Sequence, residues 1–575
     1  MSRPPASRRA LAVARGEEPA DLLLTGGRVF APHTREWIET DLAIADGVVA
    51  GWGRRDAVET VDVEGAALTP GFVDSHMHLE STKLWVDEFV RSVLPHGTTA
   101  VAADPHEIAN VFGVPGVAAL AEAAARLPFT FGICASSCVP ASPFESPGAE
   151  IGVPELETLL DDVGSIGVAE VMNFPAVISG DPEFRAKIAA AGSARRVDGH
   201  APGLSGHALD AYLAAGVESD HESTVLAEAE EKRRKGMWVF VRQGSASQNL
   251  RALIPTVLRH GTDRVALCTD DREPDTIREL GHLNDCVRLA VAAGVSVEDA
   301  LVLATVNGAE YHNFHHLGSL GPGYQADVLA FDHLDSWEPA RVWHAGRLVA
   351  AGGAVVAGAV PDSPAPGWMC RSVHLQHVPT PADLELDVPA SGHARVIGVV
   401  AGSLSTRSLV LDPRDPSVDI ARISVLERHR RTGRVGLGYV SGFGLQRGAI
   451  GSTVAHDAHN CMLVGARDGS GPRDMAVAAA RLAEIEGGQV AVLDGEVVGE
   501  VRLPIGGLMS DRPADDVADA LTRLVELARA HLGVTIAAPF MQLSFLGLSV
   551  IPQLRITDRG LVDVDRFELT TVDAG

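Results

Sequence analysis

Residues 68–80, LTPGFVDSHMHLE, are the stretch from which the fold and the chemistry of this chain can be worked out. The apolar pair Phe72 and Val73 predicts a β-strand that runs into His76 and His78. Because alternate side chains of a strand point to the same face, both imidazoles should project together from the end of this strand. They form half of a metal site, although surface strands also carry this spacing by chance. The remaining ligands must come from elsewhere in the chain.

The composition is that of a globular protein with several domains. The chain has 575 residues, 46% hydrophobic and 21% charged, which is too long for one compact core, so two or three domains are expected. The formal net charge of −27 argues against nucleic acid as a partner, because phosphate binding needs a basic surface. A free nucleobase carries no such penalty.

Cysteine usage and apolar runs bear on the compartment. The six cysteines show no CxxC spacing and predict reduced, packed thiols in the cytoplasm. No apolar run approaches the roughly 20 residues of a membrane span, so we expect a soluble protein without a membrane partner. Residues 1–19 hold arginines around the short run ALAVA and are interpreted as a disordered arm.

The middle of the chain alternates strand-like and helix-like segments. Between residues 68 and 320 we count eight strand candidates separated by amphipathic stretches, which predicts an α/β fold of the (β/α)8 TIM-like barrel type. A doubly wound open sheet is the alternative, but no GxGxxG follows the first strand. Residues 20–67 and 321–374 have short β-type runs and predict a small flanking β-sheet domain. Residues 375–575 predict a separate α+β domain.

Ionisable residues cluster where the strand candidates end. They are His76, His78, Asp104, His106, Glu107, Glu170, His200, His221, Asp270 and Asp271. In a barrel these ends converge on one mouth, so residues nearly 200 positions apart become neighbours. Each residue alone could be a hydrogen-bonded core side chain. Together, without a cation, they would carry a desolvation and repulsion cost of several kcal/mol per group.

Four imidazoles and two carboxylates suit a pair of divalent ions. His76, His78, His200, His221, Glu170 and Asp270 would supply that site. One carboxylate would bridge the ions, and a hydroxide between them would be a nucleophile at neutral pH. An aspartate beside it can take and return the proton.

Several segments together resemble one family. HMHLES, ADPHEIANVFG, AEVMNFPAVISG, DGHAPGLSG, SDHES and CTDDREPD, with GFGLQRGAIGSTVAHDAHN and LPIGGLMSD beyond the barrel, are similar to the bacterial-type adenine deaminases of the amidohydrolase superfamily. The resemblance covers nearly the whole chain except the N-terminal arm. The chain departs from the family pattern at Glu273, Arg502 and Gly506, outside the proposed ligands.

The resemblance implies a reaction and a ligand arrangement. It places His76 and His78 on one metal ion and His200 and His221 on the other, with Glu170 as the bridge and Asp270 as ligand and proton carrier. It implies hydrolysis of adenine to hypoxanthine and ammonia in purine salvage, and a homo-oligomer, dimeric or larger. Manganese or iron(II) is the expected metal, and these ligands are also compatible with zinc.

Other residues are assigned less specific roles. Glu107 or Glu222 could be the acid that offsets charge on the purine ring, or could orient a neighbouring histidine. Residues that could contact the substrate are Asp104, His106, Asp271, His456 and His459. The cluster at 456–460 could instead be a further metal site or a hydrogen-bond network between domains. The run EEKRRK at 230–235 is interpreted as a solvated helix face.

Two alternatives to this function stay open. The same metal centre would serve an amidohydrolase acting on another aminopurine or on a cyclic amide, because the pocket decides the substrate. A barrel without catalytic activity, acting as a binding or assembly module, is the second alternative. A complete set of six ligands argues against it.

Overall fold

The computed structural model describes residues 6–400 and 403–575. The described part begins with helix α1 (Arg8–Ala14), which Ser7 caps by accepting a hydrogen bond from the amide of Ala10. Ala10 and Val13 of this helix pack against Leu23, and Arg9 forms ion pairs with Asp21 and Asp46. The interpretation of residues 1–19 as a disordered arm is therefore wrong for this helix. Its short apolar run packs against a sheet, while residues 1–5 lie outside the described residues.

Seven short strands precede the histidine stretch. They are β1 (Ala20–Thr25), β2 (Arg28–Ala31), β3 (Glu36–Glu39), β4 (Leu42–Ala45), β5 (Val48–Trp52), β6 (Ala57–Asp62) and β7 (Ala67–Pro70). Four of them form a sheet in the order β5-β4-β1-β6, in which β1 and β6 run parallel. Leu22 and Leu24, two positions apart on β1, both enter an apolar core.

The eight strand candidates all contain a strand in the structure. They are β8 (Phe72–Met77), β9 (Thr98–Ala103), β10 (Thr130–Ile133), β11 (Gly167–Val171), β12 (Arg196–Gly199), β13 (Ser219–Asp220), β14 (Trp238–Arg242) and β15 (Val265–Cys268). Every position of β8 and β9 is buried, as expected for parallel strands covered on both faces.

These strands pair in parallel within three sheets. Among the described residues the sheets have the orders β10-β9-β8, β11-β12 and β13-β14-β15, and no continuous closed barrel is formed by the ladders. Isolated parallel bridges continue the arrangement between Ala135 and Val168 and between Met77 and Asp270. The carboxyl ends of strands in neighbouring sheets therefore lie beside one another.

Helices alternate with the strands and cover them. They are α2 (Val86–Val93), α3 (His106–Phe112), α4 (Val114–Ala124), α5 (Val153–Asp161), α6 (Phe174–Ser179), α7 (Pro182–Ala190), α8 (Gly206–Ala214), α9 (Leu226–Arg234), α10 (Leu250–Leu253), α11 (Pro255–His260), α12 (Pro274–Leu280), α13 (Leu283–Ala292), α14 (Val297–Ala304) and α15 (Val306–Tyr311). In α2 the buried residues Val86, Phe89, Val90 and Val93 follow the spacing of one helix face.

Helix α9 carries the charged run at 230–235 and differs from expectation. Arg234 and Lys235 are exposed, but Lys232 is fully buried and paired with Asp220 and Glu228. The interpretation of this run as a solvated face is thus wrong at Lys232. Its side chain points inward because buried carboxylates provide the partners that a buried ammonium group needs.

The chain after the eight parallel strands returns to the N-terminal strands. The next strands are β16 (Val328–Phe331), β17 (Arg341–His344), β18 (Arg347–Ala351) and β19 (Ala354–Val355). They form a sheet in the order β19-β18-β17-β16-β7-β2-β3, in which β16 is antiparallel to β7. The strand that precedes the histidine stretch is therefore anchored by a strand that follows the eight parallel strands in the chain.

The C-terminal segment contains a large sheet and a small one. Its strands are β20 (Ala394–Val399), β21 (Thr406–Leu411), β22 (Ala421–Leu426), β23 (Val435–Ser441), β24 (Ala449–Ser452), β25 (Cys461–Gly465), β26 (Gly488–Leu493), β27 (Glu496–Arg502), β28 (Leu554–Thr557), β29 (Gly560–Asp563) and β30 (Glu568–Thr570). The sheets have the orders β21-β20-β23-β22-β25-β24-β26-β27 and β28-β29-β30.

Three α-helices complete the described part of the C-terminal segment, and short 3₁₀ helices occur both there and earlier in the chain. The α-helices are α16 (Gly471–Glu484), α17 (Ala514–Leu527), which continues as a π-helix (Ala528–Leu532), and α18 (Pro539–Phe545). Short 3₁₀ helices occur at Leu79–Thr82, Leu94–His96, Gly367–Cys370 and Pro381–Leu384. Within the described ranges, no helix combines the length and apolarity that crossing a lipid bilayer requires.

Candidate metal centre

His76 and His78 lie at the end of β8 and both face Asp270. The Nε2 atom of His78 is 3.1 Å from Asp270 Oδ1, and that of His76 is 3.6 Å from the same oxygen. Nδ1 of His78 donates to the main-chain oxygen of Asp104 at 3.0 Å, which fixes the ring with Nε2 toward Asp270. All of these side chains are buried. The strand periodicity thus brings the two imidazoles to one acidic partner.

Glu170, at the end of β11, lies between the histidines. Its Oε2 atom is 2.7 Å from His200 Nδ1 and 3.1 Å from His221 Nε2, while Oε1 is 3.5 Å from His78 Nε2. Burial opposes ionisation, but His200 and His221 outweigh it and hold the pKa of Glu170 well below its usual value. One carboxylate therefore reaches both pairs of histidines.

The backbone at Asp270 brings β15 against β8. The Asp270 amide donates to the oxygen of His76 at 3.0 Å, and the His78 amide donates to the oxygen of Asp270 at 3.1 Å. Asp270 has a φ of 58°, a left-handed conformation that is unfavourable for a residue with a Cβ. The two hydrogen bonds hold this conformation and aim the carboxylate at the histidines.

The donor set fits a divalent metal ion. Ligand atoms of His76, His78 and Asp270 all lie within 4.8 Å of one another, as do those of His76, Glu170 and His221. The buried Nε2 atoms of His76 and His200 have no hydrogen-bond partner among the described residues. Nitrogen and oxygen donors without thiolate suit Mn²⁺, Fe²⁺ or Zn²⁺.

Arg242, at the end of β14, connects two acidic residues of the centre. Its guanidinium binds Glu222 through both terminal nitrogens and lies 2.7 Å from Asp270 Oδ2. Burial disfavours the charged form of Asp270, but Arg242 together with His76 and His78 holds the pKa of Asp270 well below its usual value. Burial also opposes charge on Glu222, but Arg242, His200 and His221 together lower its pKa. An arginine held in this way fixes Glu222 as a charged partner.

The end of β9 meets residues of the C-terminal segment. His106 Nδ1 is 3.2 Å from Asp104 Oδ2, and its Nε2 is 3.6 Å from Asp457 Oδ1. His456 Nδ1 is 3.0 Å from Glu107 Oε1. Burial opposes charge on Glu107, but His456 outweighs it and lowers the pKa of Glu107. Glu107 and His456 therefore form a buried acid–base pair beside the proposed ligands.

The other predicted substrate contacts differ in position. Asp271 accepts a hydrogen bond from Ser81 and lines a narrow cavity between the proposed ligands. His459 does not line this cavity. Its Nδ1 accepts a hydrogen bond from the Ala455 amide at 3.1 Å. The prediction that His459 contacts substrate is therefore not supported by its position, whereas His456 reaches the cavity.

Five of the six proposed ligands, all except His76, line a narrow cavity of about 20 Å³, which has room for about one water molecule. Its other walls come from Met172, Leu404, His456, Asp457, Phe545, Leu548 and Ile551. A larger cavity of about 1090 Å³ lies alongside and shares Met172, Glu222, Leu404 and Ile551 with it. The C-terminal segment thus forms part of the wall that faces the metal centre.

Two family profiles match this sequence. The Amidohydrolase family profile matches residues 67–349, and the adenine deaminase C-terminal domain profile matches residues 402–568. Adenine deaminase 2 of Carboxydothermus hydrogenoformans is 41% identical over 571 residues, which cover 97% of this chain and 98% of that protein. This chain belongs to the adenine deaminase family. The resemblance seen in the sequence motifs is thereby confirmed.

A second sequence relative agrees with this family membership. An adenine deaminase of Cereibacter sphaeroides is 44% identical over 566 residues, which cover 96% of this chain and 98% of that protein. The crystal structure of an adenosine deaminase from Xanthomonas campestris with bound zinc covers 59% of this chain and 95% of its own, with a TM-score of 0.44 and 19% identity. The membership of the adenine deaminase family is shown by the sequence relatives and not by this structural similarity.

Two residues of this adenine deaminase family member were missed by the sequence interpretation. Arg242 ends the seventh strand candidate, but a basic residue was not expected among metal ligands. Its position at the end of an apolar strand, like that of Asp270, could have indicated that Arg242 lies near the proposed ligands. Asp457 was considered only as part of the polar cluster, and its approach to His106 depends on the contact between the C-terminal segment and the residues that follow β9.

Proposed function

We propose that this chain catalyses the hydrolytic deamination of adenine to hypoxanthine and ammonia, in purine salvage. Relatives named adenine deaminase are 41% and 44% identical over nearly the full length of this chain. The observation that carries the chemistry is the buried Glu170 carboxylate between His78, His200 and His221. The rest of the proposal concerns what each side chain does there.

We propose that two divalent ions, manganese or iron(II) before zinc, bind at this centre. The residues that would hold them are His76, His78, Glu170, His200, His221 and Asp270. When bound, the ions would lower the pKa of the attacking water. Glu170 would bridge them, because its two oxygens reach toward histidines on both sides.

The protein groups would handle the protons of the reaction. Asp270 accepts the proton of the attacking water and returns it to the departing amino group, and Arg242 keeps its second oxygen fixed. The Glu107–His456 pair holds a proton that can offset charge on the purine ring. Glu222 is the weaker candidate for this role, since its carboxylate is already bound by Arg242.

The proposed substrate path uses the larger cavity. A purine would approach from the 1090 Å³ cavity past Met172 and Leu404, because the space between the ligands holds about one water. His106 and Asp271 line the narrow cavity, and Asp104 lies 3.2 Å from His106. These three residues are proposed to orient the base. We also propose that the eight parallel strands form a (β/α)8 barrel, that the protein is cytoplasmic, and that it is a homo-oligomer.

The test is turnover by metal-free protein reloaded with Mn²⁺, Fe²⁺ or Zn²⁺. Adenine loss and ammonia release are measured together, since a cyclic-amide hydrolase would open a hydantoin instead. Glu170→Gln is expected to lose bound metal and nearly all turnover. Asp474→Asn is the matched control, because Asp474 is a buried carboxylate that accepts the amides of Asp494 and Gly495 in the C-terminal segment. Full activity of Glu170→Gln, or no adenine loss with any metal, would contradict the proposal.

A further inference from the structure

Lys232 lies at the centre of a buried ionic cluster. Its Nζ donates to the main-chain oxygen of Ala201 at 2.7 Å, to Glu228 Oε1 at 2.7 Å and to Asp220 Oδ2 at 2.9 Å. Ser223 Oγ is 3.2 Å away. The side chains of Lys232 and Asp220 have no exposed surface. A lysine is almost never this buried unless its charge is paired, so the surrounding acceptors define its position.

The carboxylates of this cluster hold two loops. Asp220 accepts the amide of Ala201 through Oδ1 at 2.9 Å and the amide of Ser223 through Oδ2 at 3.0 Å. Glu228 accepts the amide of Gly203 at 2.8 Å. The cluster therefore ties residues 201–203, after β12, to residues 220–223, after β13. Its lysine provides the positive charge between the two carboxylates.

His200 and His221 lie next to the residues that this cluster holds. His200 directly precedes Ala201, and His221 directly follows Asp220. Their ring centroids are 5.4 Å apart, and both face Glu170. Any change in the separation of the loops would alter the distance between the two imidazoles.

We propose that Lys232 is a positioning residue that sets the spacing of His200 and His221 for metal binding. This inference depends on the proposed metal-dependent function. Without the lysine charge, Asp220 and Glu228 would be two buried carboxylates without a cation and would repel each other. The loops would then separate, and part of the metal-binding energy would be spent on bringing the histidines together.

The test compares two substitutions on the same helix. Lys232→Met removes the charge, while Arg233→Met is the matched control. Arg233 donates to the main-chain oxygens of Thr256 and Asp263, near the start of β15 and away from the carboxyl ends of the strands. Metal-free proteins are titrated with Mn²⁺ and with Zn²⁺ against a chromogenic chelator, and circular dichroism checks folding.

Lys232→Met is expected to bind metal about 10- to 100-fold more weakly, the usual effect of removing a group that orients a ligand. Arg233→Met should stay within about twofold of the unmodified protein, because its contacts lie away from the two histidine loops. Equal metal affinity in Lys232→Met and Arg233→Met would overturn the inference.

A second variant covers the case in which Lys232→Met does not fold. Glu228→Gln keeps the size of the side chain and the charge of Lys232, and should weaken metal binding by roughly threefold to tenfold. Unchanged affinity in this variant would then overturn the inference. The unmodified protein separates the two proposals: if it binds no metal and leaves adenine intact, the proposed function fails, whatever the variants do.

Discussion

The two halves of the proposed metal centre are held by different means. His76 and His78 are held by main-chain hydrogen bonds, because the backbone of β8 pairs with Asp270 on one side and with Asp104 on the other. His200 and His221 follow strands that belong to separate sheets, and β13 is only two residues long. The loops on that side are joined by the buried charges around Lys232.

The difference shows how a fold can compensate for a short ladder. Backbone pairing fixes neighbouring strand ends without any particular side chain, so the first half tolerates many sequences. Where the strand ladder ends early, specific side chains must hold the neighbouring strand ends together instead. A buried ion cluster positions the loops only while its charges are matched. The following predictions test this contrast, beginning with the largest expected effect.

Asp270→Asn should reduce kcat for adenine by about 10²- to 10⁴-fold, because it removes the proposed proton carrier. The fold should persist, since the main chain of Asp270, and not its carboxylate, pairs with His76 and His78. Steady-state kinetics and a thermal melt measure both effects. A kcat within tenfold of the unmodified enzyme would exclude Asp270 as the proton carrier.

Arg242→Met should lower kcat/KM by about 10- to 100-fold, because Asp270 and Glu222 lose the cation that orients them. Arg242→Lys should be intermediate, since an ammonium group cannot bind both carboxylates with the geometry of a guanidinium. The measurement is kcat/KM at saturating Mn²⁺. Values within twofold in both variants would show that Arg242 has no positioning role.

Removal of metal should loosen the two halves unequally. Amide hydrogen exchange, followed by mass spectrometry, should become roughly tenfold faster at residues 200–206 and 219–224, where side chains hold the loops. Residues 72–78 should change little, because β8 pairs with β9 as well as with Asp270. Equal acceleration in both halves would remove the distinction between them.

The junction with the C-terminal segment should respond to pH. Burial raises the pKa of Glu145 to about 8 from an ordinary value of 4.5, with Asp457 as a further cause. Between these pH values the folded protein binds a proton that the unfolded chain releases, so the free energy of unfolding falls as pH rises.

Glu145→Gln should reduce this fall between pH 5 and 8.5 by on the order of 1 to 4 kcal/mol. Urea unfolding at both pH values measures the difference, and the exposed Glu157, changed to Gln, is the control. An unaltered pH dependence in Glu145→Gln would mean that another group is responsible.

The sequence predicted those parts of the site that depend on strand periodicity and order. His76 and His78 follow from the two-residue period of β8, and Glu170, His200, His221 and Asp270 follow from the rule that parallel strands present their carboxyl ends at one face. These signals are local to each strand, so they could be recognised without knowing the packing.

The remaining features depend on contacts between distant segments. Lys232 stands in the run EEKRRK, where only the position of α9 over Asp220 distinguishes it from its solvated neighbours. The sequence did not indicate that β12 and β13 belong to separate sheets. The segment GVESDHE predicts a longer strand than the two residues of β13 that the structure forms. The role of α1 likewise depends on the sheet that covers its short apolar run.

The wall over the proposed centre has an evolutionary consequence. Leu404, Phe545, Leu548 and Ile551 belong to the C-terminal segment, whereas the proposed ligands lie at or just after the ends of the parallel strands. Substitutions in this wall can therefore reshape the space around a base while the reactive apparatus stays intact. A library of variants restricted to these four positions is the direct way to seek turnover of bulkier aromatic amines.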